Sequence, residues 1–102
     1  MSDNQHTIKQ EASLSGIGLH TGKQVNITFK PAPVNTGIKF QRVDLDDKPV
    51  IPADVARVVS TNRGTTIKNG EAQVSTIEHM LSALMGLGVD NLMVEIDGPE
   101  VP

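Results

Sequence analysis

One stretch of this 102-residue chain carries a helical period, and segments with a period of two must pack around it. Between Val74 and Gly88 the residues Ile77, Met80, Leu81, Leu84, Met85 and Leu87 share one arc at 100° per residue. Glu78, His79, Ser82, Ala83 and Gly86 fill the other side, which is small apart from its two functional groups. Another layer can therefore approach that side closely. Gly86 or Gly88 ends the helix, since either suits a left-handed C-cap.

The remaining apolar residues alternate. Ile8 to Leu14 reads as a strand with Ile8, Ala12 and Leu14 on one face, and Gln24 to Lys30 as one with Val25, Ile27 and Phe29 inward. Ile38 to Val43 and Asn91 to Asp97 follow the same rule. Asn69-Gly70 signals a type I′ hairpin between Gly64–Lys68 and Glu71–Ser75. Val50 to Val59 stays open between helix and strand, with Pro52 breaking any early helix. Gly16 to Gly22 and Pro31 to Gly37 read as connections, Asp44 to Pro49 as a solvated acidic loop, and Met1 to Thr7 as a disordered tail.

These elements predict an α+β fold: a small, mostly antiparallel sheet with one main helix packed on one face. A helix of about three turns cannot cover five strands. Either the sheet is small or its cover comes from outside the chain, and the expectation is the second: a single-domain fragment. Open apolar surface of that kind also predicts self-association.

Composition narrows the function. With two Phe and neither Tyr nor Trp, the core must be aliphatic, and a net charge of −3 without stacking aromatics argues against nucleic acid. No stretch is long and apolar enough to span a membrane, and the polar N-terminus is not a signal peptide. The absence of Cys excludes disulfides and thiolate zinc sites, and fits a cytoplasmic protein.

Glu78 carries two readings on spacing alone. Ser75-x-x-Glu78 is a capping box, and Glu78 is equally a reactive carboxylate beside His79. The three His residues (His6, His20, His79) lack metal-ligand spacing, and a single imidazole falls short of the three or four ligands zinc needs. Glycines at 16, 18 and 22 miss the dinucleotide fingerprint, which needs its third at 21 before a helix. His20 in that loop is a candidate to line a site. Asp90 is read as fixing the turn into the last strand.

Five ordered blocks carry a family resemblance: Gly16-Ile17-Gly18-Leu19-His20-Thr21-Gly22, the Lys30–Gly37 turn, Ser75-Thr76-Ile77-Glu78-His79 with its helix, Gly86-Leu87-Gly88-Val89-Asp90-Asn91, and Pro99-Glu100-Val101-Pro102. Together they resemble the N-terminal part of bacterial UDP-3-O-acyl-N-acetylglucosamine deacetylase, the zinc enzyme that commits precursors to lipid A. The resemblance implies half of a two-domain sandwich with an acylated UDP-sugar bound in the cleft. It assigns His79 as one of three protein ligands to Zn²⁺ and Glu78 as the general base. The segment around Thr61, Asn62, Arg63 and Gly64 matches one that lines the acyl and metal region, making Asn62 and Arg63 candidate substrate contacts. The resemblance also implies a first domain truncated before its last helix, and a second domain, absent from this sequence, that carries the family's other zinc ligands. The competing reading is a non-catalytic binding module that keeps only the fold.

Overall fold

The computed structural model describes residues 5–18, 21–53, 58–61, 64–70, 72–75 and 77–102. Among them the elements run β1 (Ala12–Ile17), β2 (Gln24–Pro31), β3 (Ile38–Arg42), β4 (Val50–Pro52), β5 (Val58–Thr61), β6 (Gly64–Asn69), β7 (Ala72–Ser75), α1 (Glu78–Gly86) and β8 (Leu92–Ile96). The α+β expectation holds, with one addition. The strands divide into a five-stranded sheet, ordered β1-β2-β8-β3-β4, and a three-stranded sheet, ordered β5-β6-β7.

Period-two patterning explains the larger sheet. In β8, Leu92, Val94 and Ile96 are fully buried while Met93 and Glu95 are half-buried. The register lines up Ala12, Phe29, Val94, Phe40 and Ile51 as one apolar row across all five strands. The next row is Leu14, Ile27, Ile96 and Arg42. The β3–β8 pair is parallel and the other three are antiparallel. A parallel pair needs a long crossover, and the chain from β4 through α1 supplies it.

The smaller sheet contributes Ile67, Ala72 and Val74 to the same core as Phe40 and Ile51. Asn69 Nδ2 donates to Val50 O at 3.0 Å, joining it to the edge strand β4. Pro52 ends that strand at the sheet edge, where proline is tolerated. The open segment Val50 to Val59 thus becomes β4 and the start of β5, with residues 54–57 outside the described residues.

Several local expectations are corrected. The first strand begins at Ala12 and includes Gly16 and Ile17, which the sequence placed in a loop. Hairpin closure falls on the Asn69–Ala72 pair, so Asn69 belongs to β6 and Gly70 follows it at φ +63°. Asn69 stays in the strand because its side chain is engaged with Val50. Residues 5–7 are not a free tail. Asp90 Oδ2 accepts from the His6 amide at 2.8 Å, Gln5 Oε1 accepts from Asn35 N and Asn91 Nδ2 at 2.7 Å each, and Thr7 Oγ1 accepts from Ala32 N at 3.2 Å.

The capping box does not form. Ile77 is the N-cap, with φ −90° and ψ −8°, and among the described residues no side chain caps the helix. Ser75 is held as a strand residue: its amide donates to Pro99 O, its carbonyl accepts from Val101 N, and its hydroxyl pairs with Thr66 Oγ1. The C-terminus is a Schellman motif, in which Gly88 N donates to Met85 O and Val89 N to Leu84 O, each at 3.0 Å. Gly88 sits at φ +73°. A Gly88→Ala substitution is expected to cost about 1–2 kcal/mol in urea unfolding, because a Cβ strains that conformation. No loss on unfolding would mean that the turn repacks.

Candidate functional site

Setting Ile77 at zero on the helical wheel, Leu81 and Leu84 lie within about 40° of it, and Met85 and Leu87 lie about 80° to either side. This explains why Leu84 is buried while Met85 and Leu87 remain 80% and 78% exposed at the margins of the arc. It also separates the two functional side chains. Glu78, at about +100°, lies on the flank that meets the three-stranded sheet. His79, at about −160°, lies about 100° further round, just past the pole opposite Ile77.

The flank bearing His79 is not polar. His79, Met80, Ala83, Leu84 and Leu87 form one wall of an apolar groove of about 530 Å³, and Ala12, Leu14, Ile27, Phe29 and Leu92 form the other. The groove is the part of the inner sheet face that α1 leaves uncovered, as expected for one helix on five strands. His79 itself is exposed at the groove, and this corrects the expectation that it faces away from apolar surface.

Glu78 is held by the smaller sheet. Its Oε2 accepts from the Thr65 amide at 2.8 Å, and the Ile77 amide donates to Thr65 O at 3.3 Å. The Thr65 amide holds the Glu78 carboxyl below the ordinary carboxylate range. Partial burial opposes that shift, and the Thr65 hydroxyl and neighbouring His79 reinforce it. The group is thus a fixed carboxylate at neutral pH, at the first turn of a helix and next in sequence to an imidazole.

A metal needs more than this pair. Among the described residues no three His, Cys, Asp or Glu side chains come together to hold an ion. His79 fits as one ligand to zinc, and the described residues form no complete centre around it. His20, Asn62 and Arg63, the other candidate site residues, lie outside the described residues, as does the side chain of Thr61.

Among the described residues, two buried charged side chains carry no assignment from sequence. Arg42 donates through Nε and Nη2 to the two Asp44 carboxylate oxygens at 2.9 and 2.7 Å, and through Nη1 to Gln73 O at 2.9 Å. Its signal was present, because Arg42 follows Ile38 and Phe40 at the inward spacing of β3. Glu100 is fully buried, with Oε1 accepting from the Thr21 amide at 3.0 Å. Only its place between Pro99 and Pro102 marked it, and that spacing carries no burial signal.

The chain matches the family model described as UDP-3-O-acyl N-acetylglycosamine deacetylase (LpxC) over residues 5–102. It is 56% identical over 99 residues to the bifunctional enzyme LpxC/FabZ of Chlorobaculum tepidum, covering 97% of this chain and 21% of that protein. It is 54% identical over 98 residues to the UDP-3-O-acyl-N-acetylglucosamine deacetylase of Geobacter sp. strain M21, covering 96% of this chain and 32% of the relative. The corresponding deacetylase of Pseudomonas entomophila is 50% identical over 98 residues, with the same coverage of both chains. The chain thus spans between a fifth and a third of the length of these curated relatives. With the family model covering nearly every residue and half or more of the aligned positions identical, the chain belongs to the UDP-3-O-acyl-N-acetylglucosamine deacetylase family.

Proposed function

We propose that this chain contributes the Glu78–His79 portion of a cytoplasmic, zinc-dependent deacetylase that hydrolyses the N-acetyl group of an acylated UDP-N-acetylglucosamine in lipid A synthesis. Family membership supports the reaction class. The observation that carries the site is the Glu78 carboxylate, fixed through Oε2 on the Thr65 amide at the start of the helix that presents His79.

Amide hydrolysis needs a water oxygen to add to the acetyl carbonyl carbon, the C–N bond to break, and a proton to reach the leaving amine. Glu78 is the base in this reading. Its Oε2 stays on Thr65 and orients the group, while Oε1 takes the proton from the attacking water. The Thr65 amide favours the ionised carboxyl, the form that accepts a proton.

His79 supplies one imidazole to zinc, and the remaining ligands are assigned to the part of the relatives' length that this chain does not span. When bound, zinc polarises the acetyl carbonyl and acidifies water. By calorimetric titration at neutral pH, the 102-residue chain should take up zinc weakly and without fixed stoichiometry. A protein carrying it together with the remaining two thirds of the family's length should take up zinc stoichiometrically and release acetate. Tight single-site binding by the short chain would overturn the ligand assignment. A zinc-loaded longer protein that releases no acetate would leave a binding module.

A further inference from the structure

Glu100 is a fully buried carboxyl group that the proposed chemistry does not use. Its Oε1 accepts from the Thr21 amide at 3.0 Å, and a Cβ built on Gly18 would come within 2.6 Å of the same oxygen. Gly18 therefore leaves the space that the carboxyl fills. The surrounding backbone closes on itself, with Gly18 N donating to Lys23 O and Gly22 N to Gly18 O, each at 3.0 Å.

The backbone on either side of Glu100 grips the end of β7. Pro99 O accepts from Ser75 N at 2.8 Å, and Val101 N donates to Ser75 O at 3.1 Å, making a parallel bridge between Ser75 and Glu100. From Ser75 the connections continue toward the site. Thr66 Oγ1 donates to Ser75 Oγ at 3.1 Å inside the core. The next residue, Thr65, receives the Ile77 amide and donates its own to Glu78. A path of hydrogen bonds and short backbone steps thus runs from the Thr21 amide to the Glu100 carboxylate, along the 99–101 backbone to Ser75, across to Thr66, and through Thr65 to Glu78. Such buried networks hold geometry when every member is engaged.

We propose that Glu100 is a positioning residue for Glu78: it ties the Thr21 amide to the 99–101 segment that grips Ser75, and so fixes the Thr65 amide that aims the Glu78 carboxylate. The inference rests on Glu78 as the working carboxylate, but its test reads geometry and not turnover.

Amide hydrogen exchange followed by NMR on the 102-residue chain supplies the test. In E100A, which removes the acceptor, protection of both the Thr21 and Thr65 amides should fall about tenfold or more. Core amides of β2 and β8, such as Ile27 and Val94, should hold. G18A, which displaces the carboxyl without altering Glu100, should give the same pattern. If Thr21 opens while Thr65 keeps its protection, Glu100 is a local clasp and the proposal is overturned.

Where a variant fails to fold, the wild-type chain decides in a denaturant series. Thr21 and Thr65 should exchange with one common dependence, as members of a single opening unit. Two separate dependences would overturn the coupling. A Glu78→Gln protein that kept full turnover would defeat the base assignment instead, and would leave this exchange result standing.

Discussion

Replacing Glu78 with Gln, in a protein that joins this chain to the remaining two thirds of the family's length, should lower kcat/KM for deacetylation by about 10²–10⁴-fold. Its zinc content should be unchanged. The substitution is nearly silent in structure, because the Gln carbonyl can still accept the Thr65 amide that Glu78 Oε2 accepts at 2.8 Å. What disappears is the capacity to take a proton. His79→Ala should behave differently and lose both metal and activity, since it removes a ligand and not a base. Kinetics paired with metal analysis separate the two. Near-full turnover in Glu78→Gln with zinc retained would reduce Glu78 to an anchor between α1 and the smaller sheet.

The adjacency of these two residues was legible in the sequence, but their division of labour was not. A helical wheel counted from Ile77 puts both outside the apolar arc, yet His79 lines the apolar groove. Which neighbour each meets depends on where the second sheet lies. The hairpin of β6 and β7 was visible in its turn signal, whereas its separation from the main sheet was not, because period-two strands look alike whichever sheet receives them. The same limit explains the failed capping box. Ser75-x-x-Glu78 has the right spacing, yet Ser75 is drawn into a bridge with Glu100, 25 positions away in the chain. A partner so far along the chain leaves no trace in a local motif. The central strand β8, by contrast, was read nearly to its ends, because Leu92, Val94 and Ile96 are buried on one face and alternation alone reports that.

Arg42 and Asp44 give the clearest stability test, because the cost depends on which partner is left behind. Arg42 is 7% exposed, whereas the Asp44 side chain is 30% exposed. Asp44→Ala leaves a buried guanidinium without its counter-charge and should cost about 3 kcal/mol in urea unfolding. Arg42→Met keeps the apolar stem, lets Asp44 turn to water and orphans one hydrogen bond at Gln73 O, so it should cost only about 1–2 kcal/mol. The pH dependence follows from the same pair. The Arg42 guanidinium holds the Asp44 carboxyl below its ordinary range, against a smaller opposing effect of burial. A carboxyl depressed on folding adds stability that is present above its unfolded value, near about pH 4, and is lost as pH falls through the folded value. Wild-type stability should therefore drop below about pH 4 more steeply than that of Asp44→Asn, with the two curves parallel at neutral pH. If Arg42→Met proves more damaging than Asp44→Ala, the guanidinium acts mainly through its contact with Gln73, and the ion pair contributes little to the fold.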